Sequence, residues 1–173
     1  MVQKGRILIN TGDGKGKTTA ALGTAFRALG HGYKVCMVQF LKGQGSYGER
    51  LMQKAFENLD WHICGKGFVF NKEDIEEDRK VAREGFDLAK EKILSDYYDL
   101  IILDEITYLP QFDFLQVGEI VAVIRSKPQR LSIIMTGRGA APELQEIADT
   151  VTDMQVVKHA YTEGIKAQKG IEF

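Results

Sequence analysis

Ten residues near the start of the chain, Asn10-Thr11-Gly12-Asp13-Gly14-Lys15-Gly16-Lys17-Thr18-Thr19, constrain the fold more than any other stretch. Arg6-Ile7-Leu8-Ile9 before them reads as a short apolar strand, and Ala20 to Leu29 after them reads as a helix. Strand, glycine-rich turn and Gly-Lys-Thr opening a helix is the setting a phosphate-binding loop requires. Glycines let the backbone turn its N–H groups inward and approach a ligand closely. The helix N-terminus adds unpaired donors and the positive end of a dipole. On this reading Lys17 reaches terminal phosphates and the Thr18 hydroxyl holds a divalent metal. The usual pattern has glycine where Thr11 stands, with Gly12 and Gly14 inside the loop instead. A glycine-rich turn without a ligand is the plainer alternative.

A second decisive stretch is Tyr98-Asp99-Leu100-Ile101-Ile102-Leu103-Asp104-Glu105, an apolar strand ending in two acids. Such an ending completes a nucleotide site. Asp104 is expected to bind the metal directly or through water, and Glu105 to be a metal ligand or to polarise the reacting group. An acid capping the next helix is the bland alternative. Lys34 to Leu41 and Leu131 to Thr136 are further apolar runs, of the kind a parallel sheet covered on both faces uses. Arg138 between Gly137 and Gly139, at a strand end, is well placed to meet phosphate.

Between these landmarks the chain alternates. Arg50 to Glu57 is expected as a short helix, Trp61 to Cys64 as a strand and Glu73 to Ser95 as a helix. The apolar face of that helix is read as Ile75, Ala82, Phe86, Ala89 and Ile93. Leu115 to Arg125 and Pro142 to Thr150 follow as helices, and Thr152 to Lys158 as the last strand. Gly30-His31-Gly32 ends the first helix, with His31 as a capping or dipole-compensating residue rather than a catalyst. The polar loop Lys42 to Glu49 lies where open α/β sheets bind ligands. Phe68 and Phe70 alternate beside Gly65 and Gly67, and by spacing alone such aromatics face a core. The whole is expected to be an α/β fold with a mostly parallel sheet, helices on both faces and right-handed crossovers.

At 173 residues the chain suits a single domain, 1–173. A net charge of −1 gives no reason to expect nucleic acid as a partner. No stretch approaches membrane-spanning length and no leader is read at the start. Cys36 and Cys64 have no metal-ligand spacing, and Cys36 is expected as a buried free thiol. A cytoplasmic location is expected.

The ordered set of motifs resembles the ATP:corrinoid adenosyltransferases of the CobA/CobO/BtuR type. It comprises Thr11 to Ala21, Val38-Gln39-Phe40-Leu41-Lys42-Gly43, Gly67-Phe68, Leu103-Asp104-Glu105-Ile106-Thr107-Tyr108, Thr136-Gly137-Arg138-Gly139, Val157-Lys158-His159-Ala160 and Gly164 to Glu172. The likeness runs from end to end. It implies a RecA-like P-loop core acting as a homodimer. Its activity would be transfer of the 5′-deoxyadenosyl group of ATP to the Co(I) of a reduced corrinoid (cobalamin or a precursor) with release of triphosphate, in adenosylcobalamin biosynthesis or salvage. It also implies Mg2+ or Mn2+, a flavin-dependent electron donor, and a nucleotide held in reversed orientation.

By the same resemblance, Thr11, Gly12, Asp13, Gly14, Lys15, Gly16, Lys17, Thr18, Thr19 and Arg138 bind the nucleotide. Thr18, Asp104 and Glu105 hold the metal, and Lys17 and Glu105 act in catalysis. Phe68 and Phe70 become a wedge under the corrin ring that displaces the lower ligand of Co(II) and eases its reduction. Some members have Trp where Phe70 stands. Longer members carry a helical extension before the first strand, so a more open corrinoid pocket is expected here. The competing readings are a P-loop kinase or ATPase and a nucleotide-dependent binding module.

Overall fold

Six strands hydrogen-bond side by side and every neighbouring pair is parallel. They are β1 (Ile7–Thr11), β2 (Val35–Phe40), β3 (Leu59–Cys64), β4 (Leu100–Asp104), β5 (Ser132–Thr136) and β6 (Thr150–Asp153), in the spatial order β3-β2-β4-β5-β1-β6. The computed structural model describes residues 4–41, 43, 48, 51, 53–65 and 75–172. The α-helices with both ends among the described residues are α1 (Lys17–Gly30), α2 (Ile75–Leu94), α3 (Tyr108–Gln111), α4 (Val117–Arg125) and α5 (Pro142–Glu146). No described helix is long and apolar enough to cross a membrane.

Strand alternation sorts the apolar residues into two half-cores. On one face Ala21, Ala25 and Leu29 of α1 pack with Val35, Met37, Leu100, Ile102 and Ile134. On the other, Ala82, Phe86, Ala89 and Ile93 of α2 and Ile120 and Ile124 of α4 cover Cys36, Val38, Phe40, Ile101, Leu103, Ile133 and Met135. Each large side chain taken out of water there is worth about 1.5–3 kcal/mol. The central strands β2 and β4 are buried along their whole length, which accounts for their continuous apolar runs. The expected buried thiol is Cys36, 0 % exposed, with burial pushing its pKa up to about 12.

Several boundaries differ from expectation. The last strand is Thr150–Asp153 and not 152–158, because the chain leaves the sheet at Met154 to bond the loop of residues 11–14. The helix after Ala141 ends at Glu146, four residues early. Within 50–57, Leu51 is helical, as expected, and Gln53–Ala55 form a 3-10 turn. Strand β3 starts at Leu59, because Leu59 is buried against the α1 face. The short α3 is an element beyond those expected; Pro110 and Tyr108 within its four residues hide its period. Ile75, expected on the buried face of α2, is 39 % exposed at the first turn. His31 does cap α1: its N–H donates to the Ala28 carbonyl, and the Gly32 N–H after it donates to the Leu29 carbonyl.

Candidate active site

The glycine-rich loop leaves β1 at Thr11 and enters α1 at Lys17. Gly12 (φ 93°) and Gly16 (φ 119°) take left-handed backbone that a side chain would strain. A second constraint comes from behind. The Gly14 N–H donates to the Met154 carbonyl at 2.6 Å, and a Cβ on Gly14 would stand 2.6 Å from that oxygen. Thr11 is the final residue of β1 and 7 % exposed; its hydroxyl accepts from the Ala140 N–H at 3.2 Å. Gly12 makes the turn, so the position of Thr11 needs no glycine.

Lys17 folds over the loop. Its Nζ donates to the carbonyls of Gly12 at 2.7 Å and Gly14 at 2.6 Å. Burial lowers its pKa, and the Arg138 charge lowers it further, against the pull of Glu105, Asp13 and Asp104. Thr18, in the first turn of α1, donates from its hydroxyl to Asp104 Oδ1 at 2.8 Å. Asp104 is fully buried at the tip of β4. Thr136 of β5 also donates to Oδ1, at 2.6 Å, and Gln39 of β2 donates to Oδ2 at 2.8 Å. The next residue, Glu105, has φ 66°, a left-handed conformation uncommon outside glycine. Its N–H donates to the Thr136 hydroxyl oxygen at 2.9 Å, which pins the turn.

Lys15, Gly16, Lys17, Thr18, Thr19 and Glu105 line one cavity of about 440 Å³, together with Leu22 and the tail residues Gly170, Ile171 and Glu172. Lys15 reaches that tail, donating to the Ile171 carbonyl at 3.2 Å and standing 3.9 Å from the Glu172 carboxylate. Asp13 and Arg138 pair at 3.5 Å on the rim and face a second cleft, of about 530 Å³, with His159, Tyr161 and Lys166. The Arg138 carbonyl accepts from Thr107 at 2.8 Å and Gln111 at 2.7 Å, so α3 holds the Gly137–Gly139 turn.

The arrangement thus joins the loop, the two acids and Arg138, with Asp104 beneath the cavity and Thr11 behind the loop. Phe68 and Phe70 lie outside the described residues. Reading the sequence missed the parts of Gln39, Thr136, Met154 and the Ile171-Glu172 tail. Gln39 carried a signal, being a lone amide inside an apolar strand; Met154 carried none.

Thr18, Asp104 and Glu105 offer oxygen donors alone. Among the described residues no three His, Cys, Asp or Glu side chains converge as a cage. One or two carboxylates at a phosphate loop is the donor set that suits Mg2+ held jointly with substrate phosphates.

A parallel sheet with the loop on β1, the acids on β4 and β5 between them defines an α/β P-loop protein of the RecA-like kind. The sequence model of the family described as ATP:corrinoid adenosyltransferase BtuR/CobO/CobP matches residues 3–173. The corrinoid adenosyltransferase of Escherichia coli K12 is 40 % identical over 171 residues, spanning 99 % of this chain and 87 % of that one. That of Pseudomonas aeruginosa is 40 % identical over 172 residues, 99 % of this chain and 85 % of its own. Corrinoid adenosyltransferase CobA of Salmonella typhimurium is 37 % identical over 171 residues, 99 % of this chain and 87 % of its own. The chain belongs to the ATP:corrinoid adenosyltransferase family.

Proposed function

We propose that this chain, acting as one domain over residues 1–173, transfers the 5′-deoxyadenosyl group of ATP to the Co(I) of a reduced corrinoid, cobalamin or a precursor of it. The observation that carries the reading is the family match across the chain, in a protein whose loop and acids meet at the Thr18–Asp104 hydrogen bond. Adenosylcobalamin biosynthesis or salvage is the corresponding role.

The electron pair that forms the new bond comes from the Co(I) of the substrate. The C5′–O bond of ATP breaks, and its pair leaves with triphosphate. The chain therefore needs no nucleophile of its own; its work is positioning and charge stabilisation. The loop up to Gly16 supplies backbone N–H groups, apart from that of Gly14, which is bonded to Met154, and the N-terminus of α1 adds its own. Lys17, already drawn over the loop by the Gly12 and Gly14 carbonyls, meets charge developing on the leaving triphosphate. Lys15 adds charge in the loop cavity and Arg138 in the neighbouring cleft, and Thr19 contributes a hydroxyl at the cavity wall. Thr18, Asp104 and Glu105 would hold Mg2+ or Mn2+, which when bound neutralises phosphate charge. Phe68 and Phe70 form the wedge that strips the lower ligand from Co(II). A homodimer, a flavin-dependent electron donor and a cytoplasmic setting complete the proposal.

The test is direct. Incubation with ATP, Mg2+ and chemically reduced cobalamin should shift the visible spectrum to that of the alkylated corrinoid and release triphosphate. Orthophosphate or a phosphorylated acceptor in place of triphosphate would point to a kinase or ATPase. Nucleotide binding without turnover would point to a binding module.

A further inference from the structure

Three adjacent strands carry a polar residue at their last position, or in β2 at the last but one, turned to the face that α1 covers. Met37, Ile102 and Ile134 face α1 and are buried. Two residues on, alternation puts Gln39, Asp104 and Thr136 on that same face. The register sets Gln39 beside Asp104. Gln39 is 2 % exposed, a costly place for an amide unless its hydrogen bonds are made. Its Nε2 donates to Asp104 Oδ2 at 2.8 Å, while Thr18 and Thr136 donate to Oδ1 at 2.8 and 2.6 Å. The two hydroxyls leave Oδ2 to be held from the other side, and the terminal torsion of a carboxylate is soft. Gln39 supplies that hold.

We propose that Gln39 is a positioning residue for the metal–triphosphate centre. Its amide sets the rotation of the Asp104 carboxylate, so that Oδ1 accepts the hydrogen bond of the Thr18 hydroxyl. A hydroxyl whose single proton is committed to Asp104 presents its lone pairs elsewhere, which is what a cation in the loop cavity requires. Gln39 itself touches neither nucleotide nor metal. The inference rests on the proposed function only for the ligand, metal-bound ATP.

Gln39→Met keeps the length and removes the donor. The dissociation constant for Mn2+·ATP, read by electron paramagnetic resonance without any corrinoid, should rise about 10- to 100-fold, the usual effect of losing a partner of a metal ligand. Binding of ATP without metal should be unchanged. Unchanged affinity for Mn2+·ATP would overturn the proposal. So would an equal loss for ATP with and without metal, because that marks a general packing defect. If the methionine variant does not fold, the wild-type protein supplies the readout. The Gln39 side-chain amide should exchange slowly with solvent and shift on adding Mg2+·ATP, and fast exchange or no shift would overturn the proposal. A wild type that binds Mn2+·ATP yet releases no triphosphate with Co(I) corrinoid would remove the adenosyltransferase reading and leave Gln39 standing.

Discussion

The Thr18 hydroxyl donates to Asp104 Oδ1 at 2.8 Å, joining two residues 86 positions apart. The bond crosses from the first turn of α1 to the tip of β4, past the intervening strand β5. It makes the phosphate loop and the acidic strand end parts of one unit. Asp104 is fully buried, so each of its hydrogen bonds offsets desolvation that water cannot relieve.

Lys17→Ala should lower adenosyl transfer by about 10²–10³-fold, the size of losing one preorganised donor to developing charge. The fold should survive, since Lys17 bonds carbonyls of its own loop. Steady-state turnover beside a thermal melt checks both halves. Near-normal turnover at saturating ATP would take Lys17 out of the site.

Glu105→Gln should reduce transfer and alter its dependence on metal concentration, with little change in melting temperature. The backbone bond to Thr136 that holds the φ 66° turn is independent of the side chain. A variant with wild-type rate and metal titration would leave Glu105 as a turn residue alone.

Gly14→Ala should cost about 1–3 kcal/mol, the usual penalty of overpacking. Its new methyl would press on the Met154 carbonyl at 2.6 Å and the Gln155 carbonyl at 2.8 Å. Gly118→Ala is the contrast. It lies inside α4 with nothing within 4 Å, so the substitution should raise stability by about 0.5–1 kcal/mol. Urea unfolding of the two variants separates a tertiary demand for glycine from its absence.

Phe68→Ala and Phe70→Ala should largely spare transfer from an already reduced Co(I) corrinoid and collapse activity that starts from Co(II) with a mild reductant. On the proposed reading the wedge would act on the reduction step and not on the displacement. Equal losses in the two assays, following the fall in melting temperature, would return both residues to a packing role.

Acid should destabilise the protein partly through His62. Burial holds its pKa below 6.5 and Lys92 adds to that, while Asp60 and Glu91 oppose; Nε2 is buried with no hydrogen-bond partner among the described residues. With the folded pKa lowered, the unfolded chain takes the proton first as pH falls through about 6.5, and stability drops below that point. Melting temperature should therefore decline from pH 7.5 to 5.5, and His62→Leu should decline less. Parallel curves for the two proteins would assign the acid sensitivity elsewhere.

Local chemistry made much of this protein legible in its sequence. Strand β1, the glycine turn and α1 follow from a few adjacent residues, and the runs at β2, β4 and β5 are apolar because both faces of the sheet are covered. Lys17, Thr18, Asp104 and Glu105 stood out because their residue types at strand and helix ends carry their own reason. Tertiary structure decided what depends on distant backbone. Gly14 is constrained by Met154, 140 residues away in the chain order of the Gly14–Met154 bond, and the last strand stops at Asp153 because that same segment turns to back the loop. Gln39 and Thr136 share Asp104 only because the strand order and register bring β2, β4 and β5 together at their tips. Periodicity tells which face a side chain takes; which strands are neighbours, and so which polar ends meet, is settled by how the two half-cores pack.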